Sequence, residues 1–198
     1  PRDKIVVDRD KHKLRTVLWK IINDLNPYRD TKMEMKEHFS PKPEEFIKEV
    51  PIEHEKAKLY LAYLAVASKE LEKAKRLRDD EPEPRWKANY DLMRAQLIAY
   101  QVRMLEHGLY LEEFVKKPKV VPLTKPPNLR LYYWDLNTQK DRLSGDKTVP
   151  MIKEADALFR QVIKDHPGTP WAARAQWELN RGYGVTLNPW YEPPYNDV

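Results

Sequence analysis

The residues Leu14, Leu18, Ile21 and Leu25 recur at spacings of four, three and four, which puts one apolar stripe on a helix, and Asn26-Pro27 stops it. Residues 28–50 mix charges with Pro41 and Pro43 and read as a connector with one short helix from Pro43 to Val50. Pro51 is then expected to open a new helix, since the first turn is where a missing N–H costs nothing. From Ile52 to about Arg78 there is neither Gly nor Pro, and Tyr60, Leu64, Ala67, Leu71 and Ala74 alternate spacings of four and three, a heptad seam. After Asp79-Asp80-Glu81-Pro82-Glu83-Pro84 the seam resumes through Trp86, Tyr90, Met93, Leu97, Tyr100, Met104, His107, Leu111 and Phe114. The turn leaves Lys73, Lys75, Arg76 and Arg78 at one helix end and acids at the start of the next, as helix dipoles favour. A turn this short makes the two helices antiparallel. The pattern predicts a long hairpin over 51–117, meeting through Leu64, Leu71, Met93, Leu97 and Tyr100.

The pattern changes over 118–146. Pro122, Pro126 and Pro127 exclude helix, and Leu129 to Trp134 alternates weakly, so an extended segment is predicted to run back along the hairpin and bury Tyr132 to Trp134. A helix pair over 147–184 follows, Thr148 to Asp165 and Pro170 to Arg181, with Gly182 ending the second. The tail, 185–198, holds Pro189-Trp190-Tyr191-Glu192-Pro193-Pro194-Tyr195, where proline favours polyproline II and the aromatics favour cover. The fold class predicted is all-α, with residues 1–50 forming an N-terminal helix and connector.

Charge adds little to this picture. The net charge is +5, but residues 1–50 carry 12 basic against 10 acidic side chains, 51–120 carry 14 against 12, and 121–198 carry 10 against 9. No basic block stands out, which disfavours nucleic acid as a partner. The absence of cysteine excludes disulfides, thiolate metal sites and thiol nucleophiles. The longest apolar run, Leu59 to Ala67, falls well short of the ~20 residues that span a bilayer. The chain starts at Pro1 without Met or a signal-peptide pattern, so further sequence is expected upstream.

Ala155-Asp-Ala-Leu-Phe159-Arg-Gln-Val162-Ile-Lys-Asp-His-Pro167 resembles the second helix and closing turn of a tetratricopeptide repeat, and Pro167-Gly-Thr-Pro-Trp-Ala172-Ala-Arg-Ala175-Gln-Trp-Glu-Leu179 resembles the bacterial envelope variety of that repeat. A wider likeness starts at Arg85-Trp86-x-Ala88-x-Tyr90-Asp91-Leu92-x-Arg94-x-Gln96-Leu97, continues through Val102-Arg103 and Glu106, and takes in the later Pro-rich aromatic end. Together these resemble the helical C-terminal region of large bacterial proteins with a von Willebrand factor A domain. The resemblance implies a helical appendage in the cell envelope or periplasm, with the adhesion-type domain upstream. The Asp-x-Ser-x-Ser metal motif of that domain does not occur here, so no metal site carries over.

Candidate chemistry is sparse. His12, His38, His54, His107 and His166 form no metal-binding spacing, and there is no Gly-rich phosphate loop or nucleophile elbow. No catalytic, cofactor-binding or metal residue is assigned. His107 is expected to be a hydrogen-bonded core histidine, Arg94 a partner of Asp91, Glu106 or the preceding helix, and Glu44-Glu45 and Glu112-Glu113 solvated acids. The candidate partner contacts are Trp190, Tyr191, Tyr195, Trp171 and Trp134, with Trp190 and Tyr191 expected to be covered by the Pro167 to Arg181 hairpin or by another copy. The function expected is a non-catalytic protein–protein interaction or assembly module. The alternative is an enzyme or regulatory subunit whose site is built from sequence-distant residues.

Overall fold

A computed structural model describes residues 12–26 and 34–194. Among the described residues, six α-helices, α1 (Lys13–Asp24), α2 (Pro43–Lys73), α3 (Lys75–Asp80), α4 (Pro84–Lys116), α5 (Val149–Asp165) and α6 (Pro170–Arg181), accompany a small antiparallel sheet. Its strands are β1 (His38–Phe39), β2 (Thr124–Lys125), β3 (Leu129–Gln139) and β4 (Gly184–Glu192). The chain is therefore mainly helical but not all-α.

The hairpin forms as its periodicity requires. Phe46 packs at a tilt against Phe114, His54 bonds the Gly108 carbonyl, Gln101 donates to Ser68 and Tyr90 donates to the Leu71 carbonyl. One partner number falls as the other rises, so α2 and α4 run antiparallel. Leu64, Ala67, Leu71, Ala74, Tyr90, Met93 and Leu97 share one core with Leu14, Leu18 and Ile21 of α1. The boundary at Pro51 is different from expectation: α2 runs unbroken from Pro43 to Lys73 with Pro51 inside it. The apolar phase crosses the proline, through Phe46, Val50 and Ala57. Pro51 and Ile47, whose carbonyl loses its partner, are both exposed, so water can take that bond.

Helix α4 is buried on more than the hairpin side. Leu92, Ala95, Ala99 and Val102 face a second core with Ala155, Phe159 and Val162 of α5 and Ala175 of α6. Small residues on each side let the helices approach closely. The helix pair over 149–181 thus packs on the back of the hairpin.

A third core lies at the hairpin's open end, where Trp134 and Leu187 of the sheet meet Phe39, Phe46, Val50, Leu111 and Phe114. The extended segment and the tail are paired with each other rather than lying separately along the helices. β3 and β4 pair from Arg130–Glu192 to Gln139–Gly184, with a bulge between Leu131 and Tyr133. The tail is accordingly a strand up to Glu192, not polyproline II, because β3 supplies partners for its backbone; Pro189, opposite Trp134, is tolerable in a strand at the sheet's edge. Gly182 ends α6 with φ +83°, and a Cβ there would lie 2.5 Å from the Gln139 carbonyl oxygen. This turn needs glycine on both counts.

Candidate functional site

The five aromatic candidates separate. Trp134 is 5 % exposed and meets Phe114 edge-on in the third core, and Trp171 is half-buried against the second. Tyr191 donates to the Pro122 carbonyl at 2.7 Å and lies under the Lys125 ammonium. Trp190 is 48 % exposed. Tyr195 lies outside the described residues.

The cover expected for Trp190 and Tyr191 from the Pro167 to Arg181 hairpin is not there. Pairing of β4 with β3 carries them to the sheet, where Trp190 stacks on Tyr133 with 6.0 Å between ring centroids and 3° between planes. His38 of β1 packs on Tyr133 at 4.2 Å, and Tyr132, 54 % exposed, meets Tyr133 edge-on. Three strands thus place His38, Tyr133 and Trp190 in one row on the outer face of the sheet. Tyr133 and Trp190 are 57 residues apart in sequence, and only the strand register brings them together. Burial of Tyr132 to Trp134 holds fully for Trp134 alone.

The most connected polar centre was not legible in the sequence. Glu178 of α6 is fully buried and accepts from Arg103 Nη1 at 2.6 Å, Arg174 Nη2 at 2.9 Å, Gln96 Nε2 at 3.2 Å and Tyr100 Oη at 3.3 Å. Arg103 also donates from Nε to the Gly182 carbonyl at 3.0 Å. Burial alone would raise the Glu178 carboxyl, but the Arg103 guanidinium and the remaining donors outweigh it and hold the group below the usual carboxylate range. Its lone pairs are occupied, so this charge ties α4, α6 and the start of β4 together.

Two other acids, buried Glu106 and part-exposed Asp91, serve loops in the same way. Glu106 accepts from the Leu143 and Ser144 backbone N–H groups and from the Ser144 hydroxyl, fixing the entry to α5. Asp91 accepts two bonds from Arg78, and His166 Nε2 lies 2.8 Å from it, joining α3, α4 and the α5–α6 turn. Arg94 faces Glu154 of α5 at 3.9 Å, not the partners expected for it, because its side of α4 meets α5.

His107 is 1 % exposed, in keeping with a core position, but neither ring nitrogen has a hydrogen-bond partner. Burial pushes its pKa down to about 4, against a smaller upward pull from Glu53. Among the described residues, no cluster of three or more His, Asp and Glu side chains could hold a metal ion, and no helix is long and apolar enough to cross a membrane.

Compared with known proteins, the chain matches no family model, no curated protein and no solved structure.

Proposed function

We propose that this chain is a non-catalytic interaction or assembly module, with the outer face of the sheet as its contact surface. The observation that carries this reading is the row His38, Tyr133 and Trp190, flanked by Tyr132. Aromatics locked by stacking present large contact area with little entropy left to lose, which is the character of interface anchors. The long helices act as a rigid spacer behind that surface. The likeness of 155–179 to a tetratricopeptide helix pair, and of the wider region to the C-terminal part of von Willebrand factor A-domain proteins, supports a place within a larger envelope protein. The occupant is then a protein partner or another copy.

The test compares the wild-type chain with Trp190→Ser and with Tyr133→Ser in two measurements: sedimentation at increasing concentration, and retention of partners from an extract of the source cells. Assembly or retention by the wild type that both variants lose is the expected result. A strictly monomeric wild type that retains nothing overturns the reading. The second reading, an enzyme or regulatory subunit with a site made of sequence-distant residues, draws on a cavity on the opposite side of the sheet.

A further inference from the structure

Between the hairpin, the end of α6 and the inner face of the sheet lies an open cavity of about 770 Å³. Small-molecule sites commonly enclose about 300–1,000 Å³. The walls come from residues 34–38, α2, α4, β3, α6 and β4, so no single stretch of sequence announces the cavity.

The charges around it are mostly matched. Lys36 pairs with Glu49 at 2.5 Å, Lys56 with Glu53 at 2.8 Å and Arg103 with Glu178 at 2.6 Å. Among the Lys and Arg side chains of the lining, Arg181 is the exception. Its Nε donates to the Thr138 hydroxyl at 3.3 Å and its guanidinium lies over Trp177 at 4.9 Å, yet among the described residues no carboxylate is within ion-pair distance and neither Nη has an acceptor. Burial and then the neighbouring Arg103 push this guanidinium below its ordinary range, so an anion beside it would remove a cost that the fold carries. His107 supplies an independent sign on the same lining: a buried imidazole with both nitrogens unbonded, a rare condition in folded proteins.

The rest of the lining limits the ligand. Met104, Leu136 and Val185 offer apolar surface. Glu34 and Glu37 line the cavity from exposed positions, and their charges disfavour polyanions. We propose that the cavity binds a small amphipathic monoanion, with its carboxylate-type group on Arg181 near Tyr100 and its apolar body against Met104, Leu136 and Val185. The cavity shares His38 with the outer aromatic row, but Arg181, Met104, Leu136 and Val185 are no part of that row, so the two readings fail separately.

The test uses 1-anilinonaphthalene-8-sulfonate, a fluorescent amphipathic monoanion, and the uncharged N-phenyl-1-naphthylamine, which shares its rings. The expected result is one-to-one binding of the sulfonate, displaced by decanoate but not by acetate or inorganic phosphate. Arg181→Gln should weaken sulfonate binding at least tenfold and leave the uncharged probe unchanged. Met104→Trp, which puts a bulkier side chain on the apolar wall without altering charge, should weaken both. Circular dichroism and Tm confirm that the variants are folded. If Arg181→Gln fails to fold, decanoate competition on the wild type and Met104→Trp decide the matter. No sulfonate binding, binding that both folded variants leave intact, or displacement by phosphate as effective as by decanoate overturns the proposal.

Discussion

The two sides of α4 are held by different physics. Toward α2, Leu64, Leu71, Met93 and Leu97 interlock at helical spacing in a mainly apolar interface. Toward the sheet and the end of α6, Arg103, Glu106, His107 and Glu178 are all buried, and the partners of the three charged groups lie as far as 82 residues away in sequence. The first interface tolerates imprecision, because apolar contact is non-directional. The second depends on each donor meeting its acceptor, since a buried charge left without a partner is costly.

Removing one charge should therefore give the largest effect. Arg103→Ala leaves buried Glu178 with Arg174 as its remaining cation and frees the Gly182 carbonyl, and should cost about 3–5 kcal/mol in urea unfolding. The pair Arg103→Met with Glu178→Leu should cost less than that single change, because the one charge left without its partner, Arg174, reaches solvent rather than staying buried. A single-variant loss under about 1 kcal/mol would mean that the charge network does not hold the junction. On the apolar side, Leu97→Ala should cost about 2–5 kcal/mol through lost burial and a residual cavity. A value near zero would break the seam assignment.

The same division explains what could be read in advance. The hairpin, its seam residues and the ends of α5 and α6 followed from spacing, because a helix brings i, i+3 and i+4 together whatever the rest of the chain does. Pro51 misleads because a helix carries a proline where the carbonyl it leaves unbonded faces water, and the sequence alone does not show which side that is. The β3–β4 pairing joins segments separated by more than forty residues and a helix pair, so Leu129 to Trp134 and Pro189 to Glu192 each looked like a lone extended piece. Arg103 and Glu178 are ordinary residues of their helices until the fold places them 2.6 Å apart. The outer aromatic row was half legible: Trp190 stood out as a candidate contact, but not that Tyr133 and His38 would pack beside it.

His107, within the helical seam by spacing and on the cavity lining by position, sharpens the comparison through pH. Its folded-state pKa of about 4 lies below the ordinary value of 6.5, so the neutral form favours the folded chain. That stability is fully present above pH 6.5 and is lost as pH falls through 4. Linkage gives about 2 kcal/mol of loss between pH 6.5 and 5. Glu81, held down chiefly by its Arg15 hydrogen bond, and Glu178 lose their contributions at lower pH, below the ordinary carboxylate value of 4.5. His107→Leu should flatten the stability curve between pH 6.5 and 5, measured by urea unfolding in steps of half a pH unit. An unchanged slope would show that the imidazole finds a partner in solution.

The smallest effect on stability should come from the outer face. Trp190 is about half exposed and stacks on Tyr133 across the strand pair, an interaction worth about 0.2–1 kcal/mol. Trp190→Ser should thus lower stability by no more than about 1 kcal/mol while removing assembly. Tyr191 gives the contrast one residue away: its hydroxyl holds the Pro122 carbonyl and its ring carries Lys125, so Tyr191→Ser should lower stability more and affect assembly less. The double substitution separates the remaining outcomes. Lost stability with assembly intact makes the row a self-packed surface, whereas lost assembly with stability nearly intact makes it a docking face. If neither changes, the aromatics of β4 are not a contact surface, and the interaction reading loses the observation that carries it.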